Sequence, residues 1–324
     1  MIIATGGTIS GAGESSVGSK YASAKLSIDK IMANTQGLDK VANVQAEQLM
    51  QLSSQNIDNV TWLKIAKRVN EVLAKSSVDG VVITHGTDTL EETAYFLNLV
   101  VKSKKPVVVV GSMRPSTSLS ADGAMNLYNA VSLAASDEAV KKGVLVLMND
   151  EIFSARDVSK TNTTNLAAFQ SVGFGPLGQI HCGKVQLYYQ PLRLHTFASE
   201  FNVKKLETLP KVDIIYSYID QDSSVVDHLV EAGTKAIIVA TVGDGNVNDK
   251  TLLSLIEAKK KGVTIVMSSR VGAGVVVPNS EIENDELGFL TADNLSPQKA
   301  RILTMLALTK TADLNAIKTF FGSY

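Results

Sequence analysis

The chain predicts an α/β fold of two domains: a larger N-terminal one on a mainly parallel sheet flanked by helices, and a smaller C-terminal one. Three observations carry this. Runs rich in Val and Ile recur at 80–84, 107–111, 144–149, 214–217, 237–241 and 263–267. Uninterrupted apolar runs of this length suit strands covered on both faces, as in a parallel sheet. Most of them lead into Gly, Ser, Thr, Asn or Asp and then into a segment of helical periodicity, which is a β-α-β rhythm. Between 192 and 211 the rhythm weakens, bracketed by Pro191 and Pro210 and dominated by polar residues over 199–208. A break of that kind marks a linker, and it divides the chain into domains at 1–191 and 212–324.

Each element has its own signal. A helix is expected at 59–75, where Trp62, Ile65, Ala66, Val69 and Val72 or Leu73 fall on one stripe. Others are expected at 90–102, 120–136, 249–261, 297–308 and 313–321. Ser296 followed by Pro297 offers a cap and then a favoured first helical residue. Tyr188 and Tyr189, with Gly173, Gly175 and Gly178 nearby, predict an irregular or antiparallel extension of the first sheet. The C-terminal domain is expected to hold three or four strands.

Composition removes several function classes. Among 324 residues, 31 Lys and Arg balance 32 Asp and Glu without a basic face, so no nucleic-acid partner is expected. The longest apolar stretches, 107–110 and 144–148, are strand-length, so no membrane span is expected. A single cysteine, Cys182, leaves no intramolecular disulfide and no cysteine-based metal cluster, and is expected as a packing residue. His85, His181, His195 and His228 show no ligand spacing, so neither metal nor cofactor is expected. Met1 runs straight into Ile2-Ile3-Ala4, read as the last part of a first strand. The expected compartment is the cytosol, or the periplasm if a signal segment has been removed.

Two threonine-rich turns stand out as candidate chemistry: Ala4-Thr5-Gly6-Gly7-Thr8-Ile9 and Thr84-His85-Gly86-Thr87-Asp88-Thr89. Each lies where an apolar run gives way to glycine, the place where an open parallel sheet exposes reactive groups. Hydroxyls, a carboxylate and free backbone amides gathered there can attack and stabilise an acyl centre. The first turn alone equally fits a tight turn with Thr8 as a local cap, or an anion held by backbone amides. The segment 11–19 is small and polar and ends near Tyr21, which reads as a lid over a small ligand. In the second turn, Asp88 reads as a cap or as a carboxylate for a substrate ammonium, while Glu91 and Glu92 read as caps in a first helical turn. His85 reads as a structural, hydrogen-bonded residue. Lys160, in the polar stretch 156–164, reads either as a solvated lysine or, if buried, as a base.

Several long motifs in order then resemble the bacterial type II L-asparaginases of the asparaginase/glutaminase family across nearly the whole chain. They are the two threonine turns, Gly111-Ser112-Met113-Arg114-Pro115, Ser120-Ala121-Asp122-Gly123, Lys160-Thr161-Asn162-Thr163-Thr164 and Pro297-Gln298-Lys299-Ala300-Arg301. The resemblance implies a flavodoxin-like N-terminal domain and hydrolysis of L-asparagine to L-aspartate and ammonia through a threonine acyl-enzyme, with minor L-glutaminase activity. It implies Thr8 as nucleophile, Tyr21 beside it on a closing loop, and Thr87, Lys160 and Asp88 as a hydroxyl–amine–carboxylate group. Asp88 would also bind the α-ammonium, and Ser54 and Gln55 would hold the α-carboxylate and α-amino group. Asn246 and Glu281 match positions contributed by a neighbouring subunit, so a homotetramer built from two intimate dimers is implied. Ser112 stands where the family usually has alanine, next to the expected oxyanion position, and Asp244 stands where an uncharged residue is common. Two competing readings keep the scaffold: a protein whose principal substrate is glutamine, and a non-catalytic binder of a small ligand.

Overall fold

The computed structural model describes residues 1–324 except Ser19 and Cys182, so the packing expectation for Cys182 lies outside the described residues. Two compact units emerge, Met1–Glu207 and Thr208–Tyr324.

The first unit opens with β1 (Ile2–Gly6), two short helices α1 (Ile28–Ala33) and α2 (Leu38–Val41), and β2 (Ala46–Leu52). It continues through α3 (Asn59–Leu73), β3 (Val81–Thr84), α4 (Leu90–Val100), β4 (Val107–Val110), α5 (Gly123–Ala134) and β5 (Val144–Met148). Then come β6 (Glu151–Ser154), β7 (Ser159–Lys160), β8 (Phe169–Gln170), β9 (Gly178–His181) and β10 (Lys184–Leu187). Eight of these strands form one sheet in the order β10-β9-β6-β5-β4-β3-β1-β2, while β7 and β8 pair separately. The five strands β2-β1-β3-β4-β5 run parallel, in the flavodoxin-like order. β6, β9 and β10 add an antiparallel extension, as the tyrosine and glycine cluster predicts.

Why the central strands are so apolar follows from their two covered faces. Ile2, Ala4, Val82, Val108, Val110, Leu145 and Leu147 pack into one core with Ile28, Ile31, Leu38, Leu127 and Ala130 from α1, α2 and α5. The alternate residues Ile3, Ile83, Val109 and Val146 are fully buried too, on the face where α3 and α4 pack. β2 escaped the sequence reading because it is a half-buried edge strand whose sequence, Ala-Glu-Gln-Leu-Met-Gln-Leu, holds no β-branched run. The order reverses at β1, with β2 on one side and β3 on the other, and this switch point is where such sheets place ligands.

Residues 192–207, read from the sequence as most of a linker, belong to the first unit. Phe201 and Val203 are buried anchors among the polar residues, and the Ser199 hydroxyl donates to Leu99 O at 2.5 Å. Lys102 Nζ donates to Ser199 O.

The second unit carries β11 (Val212–Tyr216), α6 (Ser224–Glu231), β12 (Ala236–Thr241), α7 (Asp249–Lys260), β13 (Thr264–Ser269), α8 (Asn284–Leu287), β14 (Leu290–Thr291), α9 (Pro297–Leu308) and α10 (Leu314–Ser323). Its four strands are parallel in the order β11-β12-β13-β14, with β12 buried throughout. Pro297 takes the first helical position of α9, but Ser296 makes no capping bond, contrary to expectation, and its hydroxyl is buried without a partner among the described residues. The cap appears instead at α10, where the Asp313 carboxylate accepts from Ala316 N at 2.9 Å.

Among the polar contacts that tie α3 to α4, the Trp62–Thr93 bond lies inside an apolar layer. Trp62 Nε1 donates to Thr93 Oγ1 at 2.8 Å, and the Trp62 ring stacks on Phe96 at 5.2 Å between centroids. Replacing Thr93 by Val keeps the shape and strands a buried indole N–H. We expect Thr93→Val to lower the unfolding free energy by about 1–3 kcal/mol in urea titration, whereas an unchanged midpoint would show the indole to be satisfied by another route.

Candidate active site

The site is assembled by three chain segments leaving adjacent strands. β1 ends at Gly6 and Gly7, with φ of +116° and +86°. Both lie in the region that only glycine enters freely. A Cβ on Gly7 would fall well inside contact distance of the Gly86 backbone, and one on Gly86 would lie 2.7 Å from Ser54 Oγ. The absence of side chains therefore lets the turn after β1, the turn after β2 and the turn after β3 meet. Gly7 N donates to Leu52 O at 3.0 Å, Thr5 Oγ1 to Thr84 O at 2.8 Å, and Thr89 Oγ1 to Ser54 O at 2.9 Å.

Each segment then makes a single 3-10 turn: Thr8–Ser10, Ser54–Asn56 and Thr87–Thr89. Thr8, Ser54 and Thr87 are all buried. Thr8 does not act as a cap. Its Oγ1 lies 2.9 Å from the Tyr21 hydroxyl. Lys160 Nζ donates to Thr87 Oγ1 at 2.9 Å and to Asp88 Oδ1 at 2.7 Å. The Lys160 side chain is 16% exposed and that of Asp88 65%, so the lysine is not an ordinary solvated one. An enclosed amine touches a buried hydroxyl, while the carboxylate beside it faces solvent.

Tyr21 arrives on the segment 11–25, which folds back on itself through the Ala12–Ala22 bridge. Ser116 N donates to Gly11 O at 3.0 Å, Gly13 N to Thr117 Oγ1 at 2.9 Å and Leu119 N to Ser16 O at 2.9 Å. Ser23 and Ser53 share a hydroxyl–hydroxyl bond, and Ala24 N donates to Gly7 O at 3.0 Å. Sequence reasoning missed Ser116, Thr117 and Ser23 as supports of this segment, because nothing local distinguishes them from ordinary loop serines and threonines.

Other expected residues fall as follows. Gln55 is exposed on the same turn as Ser54. Ser112 follows β4 and is fully buried, but its hydroxyl donates to Arg114 O at 2.8 Å. The Ser112 hydroxyl proton is thus already engaged. Asp122 shapes that turn by accepting from Met113 N and Arg114 N, both at 2.9 Å. Asn246 and Glu281 belong to the second unit. Asn246 closes a small bridge with Val242, Asp244 Oδ1 accepts from Val277 N at 2.8 Å, and Glu281 is exposed just ahead of α8. Glu91 is more than a helix-start acid: buried, it accepts the Lys160 backbone N–H on Oε2 at 2.5 Å. Its signal was the spacing of four from Thr87.

His85 is structural. Its Nδ1–H donates to Gly86 O at 2.7 Å, and complete burial pushes its pKa down to about 4.

Residues 1–193 match the family model for the N-terminal asparaginase domain, and residues 211–321 match that for the glutaminase/asparaginase C-terminal domain. The chain belongs to the asparaginase family. It is 50% identical over 326 residues to a glutaminase-asparaginase of Pseudomonas fluorescens biotype A, covering 100% of this chain and 90% of that protein. It is 47% identical over 323 residues to L-asparaginase 2 of Escherichia coli strain K12, covering 100% and 92%. The crystal structure of a probable cytoplasmic L-asparaginase from Campylobacter jejuni superposes with a TM-score of 0.97 at 47% identity, over 100% of this chain and 98% of that one.

Two outcomes follow for an asparaginase built this way. Gly7→Ala must strain φ and push Gly86 away, so we expect a loss of about 2 kcal/mol or more in urea unfolding; a variant of unchanged stability would show the turn to be adaptable. His85 has its folded pKa below its unfolded one, so its contribution is full above about pH 6.5 and is lost as pH falls toward 4. The loss should reach the order of 3 kcal/mol. The slope of unfolding free energy against pH between 4 and 6.5 should therefore flatten in His85→Gln, and an unaltered slope would assign the dependence to other groups.

Proposed function

We propose that the protein hydrolyses the side-chain amide of L-asparagine to L-aspartate and ammonia, with L-glutamine as a minor substrate. One observation supports this above the rest: two buried hydroxyls on neighbouring turns, each with its own proton partner at 2.9 Å, Thr8 with Tyr21 and Thr87 with Lys160. An amide is a poor electrophile with a poor leaving group. It needs an activated oxygen nucleophile, a site for the oxyanion and a donor for the departing nitrogen. A binding protein has no use for two hydroxyls so equipped.

In this reading Thr8 Oγ1 attacks the amide carbon while its proton passes to the Tyr21 oxygen and the phenolic proton of Tyr21 goes on to the amide nitrogen. The tetrahedral intermediate collapses, the C–N bond breaks and ammonia leaves, giving a threonine ester. Thr87 and Lys160 then prepare a water whose attack on the ester carbon releases aspartate and restores Thr8. The oxyanion would rest on the backbone N–H of Ser112 itself, since its hydroxyl donates to Arg114 O and the next two N–H groups, of Met113 and Arg114, donate to Asp122.

Substrate orientation uses the remaining groups. Asp88 accepts one bond from Lys160 and, as a carboxylate, retains acceptor sites for an α-ammonium. Ser54 and Gln55 flank it for the α-carboxylate and α-amino group, and two charged anchors hold the amide against Thr8. Asn246 and Glu281 would come from the second unit of a neighbouring subunit, within a homotetramer of two intimate dimers. The glutaminase-asparaginase name of one relative supports a second reading, in which glutamine is handled as well as asparagine. One methylene in a fitted pocket separates the two by only about 1–3 kcal/mol.

Ammonia release from each amide tests these readings. Thr8→Ala, Thr87→Ala and Lys160→Met should each lower kcat by at least about a thousandfold while the fold persists. Near-normal rates in the two threonine variants would overturn the mechanism, and equal kcat/KM for the two amides would establish the dual-substrate reading. A fully active monomer by native mass would contradict the shared site.

A further inference from the structure

We infer that Glu91 is a positioning residue for Lys160, holding the lysine backbone so that its amine meets Thr87. This rests on the reading of Lys160 as the partner of Thr87. Three observations carry it. Glu91 is only 5% exposed, deep for a carboxylate. Its Oε2 accepts the Lys160 backbone N–H at 2.5 Å, across 69 positions of sequence. Thr87, Asp88 and Glu91 all lie at the start of one helical segment, the 3-10 turn Thr87–Thr89 running directly into α4.

The geometry gives Lys160 three attachments to that single segment. Its Nζ donates to Thr87 and Asp88, and its main chain donates to Glu91. Thr87 and Glu91 stand on either side of the junction between the 3-10 turn and α4, and both meet Lys160. Fixing both ends of a long side chain to one rigid element removes the freedom that a lysine ordinarily spends in solvent. The need is real, because β7 is two residues long and, among the described residues, pairs only with β8. A two-stranded ribbon of that size is too small to hold a residue in place unaided. Thr161 N supplies the other tether, donating to Ala168 O at 2.7 Å.

Two near-isosteric variants separate reach from charge. Glu91→Asp keeps the charge and withdraws the carboxylate by one methylene; Glu91→Gln keeps the reach and an acceptor oxygen. Glu91→Asp should lower kcat for asparagine by about tenfold or more through misalignment, with KM within about threefold, while Glu91→Gln should stay within about threefold of the unaltered protein in both. The Lys160 amide should exchange its hydrogen about tenfold faster in Glu91→Asp than in the unaltered protein or Glu91→Gln. A Glu91→Asp protein with unaltered kcat and unaltered Lys160 exchange would overturn the inference, as would a Glu91→Gln protein impaired as much as Glu91→Asp. If the unaltered protein released no ammonia from asparagine, the functional reading would fall, and the exchange rates would still decide whether Glu91 holds Lys160.

Discussion

The backbones of Gly7 and Gly86 approach one another too closely to admit a single methyl group between them. Everything chemical in the first unit depends on that approach. Parallel strands sit at a fixed spacing, and side chains leaving their ends normally diverge. Here β1 ends in two glycines of positive φ, and the chain folds across the end of β3 instead of away from it. The result places Thr8 and Thr87, the first residues after the contact, on facing turns. Ser54 closes the third side against Gly86, and the Thr89 hydroxyl pins its carbonyl. A site built on main-chain contact at strand ends inherits the rigidity of the sheet, which side-chain packing on loops cannot match.

Rigidity at that point is bought by burial elsewhere. The strands that aim the two turns are covered on both faces, by α1, α2 and α5 on one and by α3 and α4 on the other. α4 has a double duty, since its body is buried nearly throughout, its first turn carries Glu91, and the 3-10 turn leading into it carries Thr87 and Asp88. The Trp62–Thr93 bond and the Trp62–Phe96 stack therefore fix the helix whose first turn holds the lysine. Core packing and site geometry are linked through one helix axis.

Legibility in the sequence followed how local each signal was. The central strands and long helices could be read because burial on both faces writes an unbroken Val and Ile run, and α9 could be bounded to the residue by Pro297. The edge strand β2 was invisible, since half-burial leaves no pattern in its seven residues. The two threonine turns were legible as turns from their glycines. Their meeting was not, because it requires the strand order that puts β1 beside β3. Lys160 was ambiguous for the same reason: nothing near it in sequence tells that Glu91, Thr87 and Asp88 surround it. Asp244 and Ser112, the two departures from the pattern the resemblance led one to expect, hold main-chain groups of their own surroundings.

The two hydroxyl pairs differ in what sustains them. Lys160 reaches Thr87 from an enclosed position, anchored by main chain and side chain to α4 and the turn before it, with 16% of its side chain exposed. Tyr21 reaches Thr8 from a segment joined to the rest by scattered main-chain and hydroxyl bonds, and 40% of the tyrosine is exposed. Gly11 lets the tyrosine ring lie against the backbone, where a Cβ would meet ring carbon at 3.0 Å. The Thr87 pair is thus a property of the folded core, present whatever the segment does. The Thr8 pair depends on the position of that segment. Under the proposed mechanism this asymmetry would suit a small amino acid that must enter and leave: the partner of the attacking hydroxyl would travel with the segment, and the pair proposed to prepare water would stay in register with the sheet.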